Sequence, residues 1–405
     1  SYLNLIPLFD PGQKINVVPI HSPTEIWQLK EKPLVYTQWD IIKAVKLLDY
    51  TKRYKPDENI WICNSHAALG NWWNRAENGE YLTLDIETHL GFITCIGFSH
   101  DGHEATSIPL LVGSKMDYSE RGHIYRKLKE ILKSKTPKVN QNIKYDLLKL
   151  ENFGFSINNI IGDTMLMAHT LYPELPKGLD FLNSIYTDMP FYKDEGRQYD
   201  PKQHSVDRLL KYNARDALCT HRIWKLQQDD AEAFKVKTFY FINVHPLFSI
   251  YIKMDKSGLC VDDARRKSLI AKYTPLYKEL AISLSLINEK KINPRSTQQI
   301  AHLVYKILQF PAKTHQTPSG NYTLSTDEKV LEEFYVSSDK SKTVKDVLRQ
   351  IILARKIAKI LDFLDTPISP DGRMRQNTKL AGTENGRTSG SQYSEEVYFI
   401  EDGII

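Results

Sequence analysis

The 405-residue sequence predicts an α/β domain over residues 76–235, a mixed sheet flanked by helices, followed by a mainly helical region over residues 236–370. Three observations carry that expectation. Past Glu80, short apolar runs alternate with helical patterns, the signature of strands layered with helices. Past Phe239, helix starts recur with few strands between them, and Ser296-Thr297-Gln298-Gln299 and Ser325-Thr326-Asp327-Glu328 read as capping boxes. Hydrophobic residues at 41% and charged residues at 25% are ordinary for a globular chain, and the length allows two or three cores. Residues 1–75 read as an accessory region with scattered prolines (Pro7, Pro11, Pro19, Pro23, Pro33), one helical pattern at 39–50, and Trp61, Trp72 and Trp73 as core-type aromatics. Residues 371–405 close the chain.

Composition narrows the function classes. A net charge of +5 permits a polyanionic partner without specifying one. Cys63, Cys95, Cys219 and Cys260 form no C-x-x-C pair, which suggests neither a disulfide framework nor a zinc site and fits a reducing compartment. No apolar run approaches 18 residues and the first ten lack a basic stretch before a long apolar one, so neither membrane insertion nor secretion is expected.

The α/β region opens with the strand at residues 81–88. Leu82, Leu84 and Ile86 point one way and Thr83, Asp85 and Glu87 the other. Two carboxylates side by side resist ionising together unless a cation lies between them. An apolar strand at 92–98, the turn pair Asp101-Gly102 and a third strand at 104–111 complete a meander. A helix at 119–134 and a short strand at 138–140 follow. Gln141-Asn142-Ile143-Lys144-Tyr145-Asp146 then enters a helix closed by Gly154, with Asp146 in its first turn, where an acid suits the positive helix end. Asp163 reads as the N-cap of the next helix. Residues 189–205, polar and carrying Gly196 and Pro201, read as a surface loop, and a helix over 206–227 places Tyr212 and Asp216 one turn apart on one face.

Taken together, D-x-E on a strand, N-x-K-Y-D at a helix start and Y-x-x-x-D on a later helix resemble the DEDDy subgroup of 3′–5′ exonucleases over residues 76–235. The resemblance implies a ribonuclease H-like fold. It assigns Asp85, Glu87, Asp146 and Asp216 as ligands of two divalent cations, Mg²⁺ or Mn²⁺, and Tyr212 as the residue that orients the attacking water. Thr88, Gln141 and Asn142 stand where members of the family contact the terminal nucleotides. The chemistry is consistent with that assignment: hydrolysis of a phosphodiester needs a deprotonated water and charge stabilisation at the leaving 3′-oxygen, both of which a metal pair supplies.

The second half resembles the thumb and first palm strands of family A DNA polymerases, the DNA polymerase I type. The matching residues are M-D-x-x-G-L-x-V-D from Met254 to Asp262, Asn293 with Ser296 and Gln299, Ser325-Thr326-Asp327, and Gly386-Arg387, with Asn385 where a threonine is usual. The likeness implies that Arg387 contacts a primer terminus in the minor groove. A largely helical stretch over 239–255 bent at Pro246, a long helix from Asp262 to about residue 290 bent near Pro275, and one over 342–364 complete the thumb-like pattern. The last is expected to bury Val344, Leu348, Ile351 and Ile352 and to display Lys345, Arg349, Arg355, Lys356 and Lys359.

Beyond Gly390 the family pattern stops, and Glu395, Glu396, Glu401 and Asp402 do not replace the palm's metal-binding aspartates. The expectation is therefore a proofreading exonuclease and primer-template-binding part of a replicative polymerase, completed by a second polypeptide carrying palm and fingers, with truncation or an interrupted gene as the competing explanations of the missing palm. Its expected location is the cytoplasm, or the replication compartment of a virus- or phage-infected cell. The alternatives are a stand-alone ribonuclease D-like exonuclease and a catalytically silent DNA-binding or assembly subunit.

Overall fold

A computed structural model describes residues 37–42, 45, 58–110, 117–189, 191–197, 199, 204–288, 290–317 and 321–392. The expected strand end at Leu111, most of the helical pattern at 39–50, the prolines of residues 1–36 and the acidic residues after 392 lie outside them. The chain divides into two compact units, Ser1–Met254 with Asn377–Ile405, and Asp255–Gln376.

The first unit is built on one six-stranded mixed sheet: β1 (Asn59–Ile62), β2 (Leu82–His89), β3 (Phe92–Ser99), β4 (Glu104–Pro109), β5 (Lys138–Asn140) and β6 (Ile160–Asp163), ordered β1-β4-β3-β2-β5-β6. β2, β3 and β4 form the antiparallel meander, while β1 joins β4, β5 joins β2 and β6 joins β5 in parallel. Both turns of the meander need left-handed backbone, which Gly91 (φ 83°) and Gly102 (φ 75°) provide without a Cβ penalty. At the second turn the Asp101 carboxylate accepts the N–H groups of His103 and Glu104, each at 2.8 Å.

Alternation along β2 decides what each face packs against. Leu82, Leu84 and Ile86 sit in a core with Trp72 and Trp73 of α1 (His66–Ala76) and Ile124, Leu128 and Ile131 of α2 (Tyr118–Lys133). Each such fully buried side chain contributes about 1.5–3 kcal/mol. Residues 59–76 fall in the stretch expected to form an accessory region; here they add an edge strand and a covering helix to the sheet. Between β5 and β6 lies α3 (Ile143–Asn152), and after β6 come α4 (Thr164–Leu171) and α5 (Leu179–Tyr186).

The other face is crossed by α7 (Val206–Ala233), which follows a four-residue helix, α6 (Asp194–Arg197), and runs past the expected end at 227. Leu209, Leu218 and Ile223 of α7 pack over Cys95 and Ala105. Thr83 Oγ1, on the same face as Asp85 and Glu87, donates to the Ala217 carbonyl at 2.8 Å. The close approach of helix to sheet depends on Gly97, where a Cβ would lie 2.7 Å from the Asn213 carbonyl oxygen. The irregularity expected at Pro246 takes the form of a π-helical turn, Tyr240–Val244, just ahead of it, which leads without a break into α8 (His245–Ser257), so the proline, which cannot donate an N–H to the preceding turn, lies where the helix changes pitch. Near the C-terminal end of the described chain, β11 (Gln376–Lys379) pairs with β12 (Ser389–Gln392).

The second unit is mainly helical. It holds α9 (Asp263–Ile287), α10 (Thr297–Ala301) extended by a π-turn at His302–Ile307, α11 (Glu328–Ser337) and α12 (Lys342–Leu364) around a core of Leu284, Ile300, Leu303, Phe334, Leu348 and Ile351. Two small antiparallel pairs complete it, β7 (Leu259–Cys260) with the sequence-distant β10 (Arg373–Met374), and the hairpin of β8 (Thr314–Gln316) with β9 (Tyr322–Leu324). Asp262 caps α9 through Arg265 N (2.9 Å), and Pro275 lies inside that helix.

Neither capping box forms as expected. Ser296 does cap α10, but Gln299 Oε1 accepts from Asn293 N (2.7 Å) instead of closing on Ser296. At α11 the cap is Asp327, two residues later than expected, because the Ser325 hydroxyl is drawn to the Asp327 carboxylate at 2.9 Å. On α12 the core stripe is Val347, Leu348, Ile351, Ala354, Ile357 and Ala358, with Val344 and Ile352 only half-buried. Arg355, expected on the solvated face, turns inward to the carbonyls of Pro294 (2.9 Å) and Thr326 (2.5 Å). No helix among the described residues is long and apolar enough to cross a membrane.

Candidate active site

The structure gathers acids that are far apart in sequence. Asp85 and Glu87 come from the middle of β2 and Asp216 from α7, and their carboxylate oxygens lie within 4.8 Å of one another. The pairing register sets Asp85 opposite Gly97 and Glu87 opposite Cys95, and the strand irregularity between Glu87 and Thr88 follows directly after the second acid. Asp146, from the first turn of α3, borders the cluster, with Asn140 Nδ2 donating to its Oδ2 at 2.6 Å and the Ile86 N–H donating to its carboxylate. Asp146 and Asp216 are 4% and 3% exposed, far below what an unassisted carboxylate tolerates.

Burial and mutual repulsion act together on these groups. Burial first, and then the charge of Asp216, push the Asp85 carboxyl up to about 8, while Lys193 and the amide of Asn213 pull the other way. Glu87 is raised by burial and by Asp85 and Asp216, and Asp146 by burial and by Asp85 and Glu87. A site that makes carboxylates this reluctant to ionise is stabilised by adding positive charge, and its all-oxygen donor set suits a hard divalent cation. On that observation Asp85, Glu87, Asp146 and Asp216 fit a metal centre.

The remaining groups orient the acids. Asn213, fully buried one turn before Asp216, donates through Nδ2 to Asp85 Oδ2 (2.8 Å) and to the Asp85 carbonyl (3.0 Å), while its own Oδ1 accepts from Ser107 (2.7 Å). Tyr212 is buried beside them, and desolvation together with the charge of Asp216 drives its hydroxyl upward, so it keeps its proton at neutral pH. Part of the stretch expected as a surface loop instead presses inward, although Phe191 and Asp194 are exposed. Met189, Tyr192 and Lys193 are buried, the Tyr192 hydroxyl donates to Asp216 Oδ1 at 2.7 Å, and Lys193 Nζ reaches Asp216 Oδ2 at 2.5 Å.

The residues expected at the nucleotide-contacting positions are placed less uniformly. The Thr88 hydroxyl meets the Tyr145 hydroxyl at 2.9 Å, and Tyr145, 44% exposed, stands at the mouth of the site with Lys149 Nζ 5.8 Å from its ring centre. Asn142 is exposed at the head of α3 with φ 59°, and its backbone N–H is held by Asp163 Oδ1 at 3.1 Å. Gln141 has both ends of its amide engaged within the protein, donating to the Lys177 carbonyl at 2.8 Å and accepting from Thr164. Arg387 lies elsewhere in the chain, exposed in the turn between β11 and β12, where its N–H and carbonyl are tied to Asn385 and Thr383.

Sequence reasoning missed Lys193, Tyr192, Asn213 and Tyr145. Tyr145 stands next to Asp146 in the quoted motif, and Asn213 is a lone amide on the apolar face of α7; both gave a signal. Lys193 and Tyr192 gave none, since they are polar or amphipathic residues in an aperiodic stretch.

Comparison with known proteins adds the following. Residues 60–229 match the family model of the 3′–5′ exonuclease of DNA polymerase A. DNA polymerase I of Rhizobium leguminosarum is 25% identical over 280 residues, covering 66% of this chain and 26% of that protein. DNA polymerase I of Borreliella burgdorferi is 25% identical over 300 residues, covering 70% and 31% respectively. The chain thus spans about a quarter to a third of the length of these curated relatives. Among solved structures, the POL domain of Pol1 from M. smegmatis, in complex with DNA primer-template and dNTP, superposes with a TM-score of 0.61 at 15% identity, over 84% of this chain and 57% of that one.

Proposed function

We propose, for a chain joined to the family A DNA polymerases through the 3′–5′ exonuclease domain of residues 60–229, that it hydrolyses the terminal phosphodiester at the 3′ end of a DNA strand and so serves proofreading. The observation that carries this reading is the meeting of Asp85, Glu87 and Asp216 within 4.8 Å on a buried face, with Asp146 beside them.

Each residue then has a task. Asp85, Glu87, Asp146 and Asp216 would hold two divalent cations, Mg²⁺ or Mn²⁺. Such cations, when bound, supply an acidified water and charge stabilisation at the leaving oxygen. Asn213 keeps the Asp85 carboxylate aimed into the site, and Asn140 and the Ile86 N–H do the same for Asp146. Tyr212, protonated at neutral pH, offers an O–H that can hold a water in line with the phosphorus. Thr88, Asn142 and Tyr145 at the mouth of the site are positioned to meet the last nucleotides. Gln141 can join them only by leaving the Lys177 carbonyl.

The thumb-like role of residues 236–370 and the primer contact of Arg387 belong to the same reading. Polymerisation is an activity of whole relatives three to four times the matched length, and it is not assigned to the described residues alone. The test is digestion of a 5′-labelled single-stranded DNA oligonucleotide, with the matching RNA alongside, in Mg²⁺, Mn²⁺ and EDTA. Shortening from the 3′ end is expected with metal only, and Asp85→Ala and Glu87→Ala should each lower the rate by about two powers of ten or more. Variants as active as the parent would remove the site assignment, and a preference for RNA would favour the ribonuclease D-like alternative.

A further inference from the structure

The segment ahead of α7 delivers a lysine onto the acids. Lys193 Nζ lies 2.5 Å from Asp216 Oδ2 and 3.0 Å from the Tyr212 hydroxyl oxygen, 4.9 Å from the centre of the Tyr212 ring. The side chains of Lys193 and Asp216 are only 11% and 5% exposed, so water screens the pair weakly. With Tyr192 on Oδ1 and Lys193 on Oδ2, both oxygens of Asp216 are engaged by consecutive residues of one short stretch.

That stretch is held from two sides. Arg215, the neighbour of Asp216 on α7, reaches back to Glu195 Oε2 at 2.8 Å and grips both carboxylate oxygens of Glu58 at 3.0 and 3.1 Å. Gly196 passes so near the Tyr212 ring that a Cβ there would stand 2.5 Å from Cζ. Lys193 is therefore put where it is by the fold and does not arrive as a swinging surface side chain. An ammonium carries three donors and no acceptor, so the Tyr212 oxygen must accept in this bond, which leaves the tyrosine's own O–H to donate, its partner being the Asp216 carboxylate.

We infer that Lys193 is a positioning residue of the nuclease centre: its ammonium competes with a divalent cation for Asp216 and fixes the Tyr212 hydroxyl as a donor toward the reacting site. The inference rests on the nuclease reading above and assigns that centre a built-in counter-charge. The acids remain gathered when no metal is bound, at the expense of metal affinity. Exchange of cations and product is correspondingly easier.

The test is a Mn²⁺ titration of the full chain, free Mn²⁺ being read by electron paramagnetic resonance, together with kcat and KM on a single-stranded DNA oligonucleotide. Lys193→Met should bind Mn²⁺ about tenfold more tightly, as expected when a competing buried charge is removed, while its kcat falls about tenfold at unchanged KM. Lys193→Arg, which keeps the charge, should bring the Mn²⁺ affinity back toward that of the parent. A purely structural lysine would weaken metal binding and catalysis together, and that result, or unchanged Mn²⁺ affinity in a Lys193→Met protein with parent-like melting, overturns the inference. Should Lys193→Met not fold, Lys193→Gln provides the same readings. A parent that binds no Mn²⁺ at all rejects the metal-centre reading itself, which separates the two failures.

Discussion

Replacing Gly97 by alanine perturbs the centre without touching any acid. Gly97 lies on β3 directly opposite Asp85, and the added Cβ would stand 2.7 Å from the Asn213 carbonyl oxygen and 2.8 Å from Asn213 Oδ1. A carbon and an oxygen not bonded to each other need roughly 3.2 Å, so α7 must retreat by about half an ångström or Asn213 must turn away. Overpacking of this kind costs about 1–3 kcal/mol, and weakening the bond from Asn213 to the Asp85 carboxylate adds a further 1–2 kcal/mol, for a total of about 3 kcal/mol. Urea unfolding should report that loss, and DNA digestion should fall at least about tenfold because Asp85 is no longer aimed. The matched control is Gly122→Ala on the exposed side of α2, where nothing lies within 4 Å of the new methyl and the helix should gain about 0.5–1 kcal/mol. A Gly97→Ala protein with the parent's stability and activity would show that α7 does not owe its seat to this glycine.

Three further outcomes are expected. Asp163 accepts backbone N–H groups from Asn142, Ile143, Met165 and Leu166 and so caps two helix starts at once; Asp163→Ala should cost about 2–4 kcal/mol in urea unfolding, more than an ordinary N-cap. His221, stacked on Tyr81 at 4.1 Å and 6% exposed, is pushed by burial down to about 4, so the fold favours its neutral ring; the stability from that preference is complete above about pH 6.5 and is lost as pH falls toward 4, about 3 kcal/mol in all. Unfolding at pH 7, 5.5 and 4 should therefore show a flatter profile for His221→Gln than for the parent. Finally, raised carboxyls mean that the metal-free fold holds more protons than the unfolded chain between about pH 4 and 8 and loses stability as pH rises through that window; Mn²⁺ should raise the melting temperature more at pH 8 than at pH 6, and EDTA should abolish the difference.

What could be read from the sequence follows a physical rule. The strand at 82–89 stands out because acids interrupt an otherwise apolar alternation, and an acid on a core face demands a reason. Tyr212 and Asp216 are legible through helical spacing, and Asp163 through its place before an apolar run. Lys193 and Tyr192 are not, since their partners lie some twenty residues away on α7 and no local period links them. β1 and β6, four residues each, are defined by their pairing with β4 and β5 and not by a local pattern. Helical spacing puts Arg355 on the solvated face of α12, since it carries no information about the Pro294 and Thr326 carbonyls on other segments.

The order in which the sheet and α7 are laid down has a bearing on the cell that makes the protein. Asp85, Glu87 and Asp146 emerge from the ribosome first, yet Asp216 arrives only with the helix that crosses the finished sheet. On the reading proposed above, a nascent chain shorter than this lacks one acid of the cluster and cannot yet cut nucleic acid. The proposed activity would in that sense be the last property the domain acquires during synthesis and the first it surrenders when α7 lifts away.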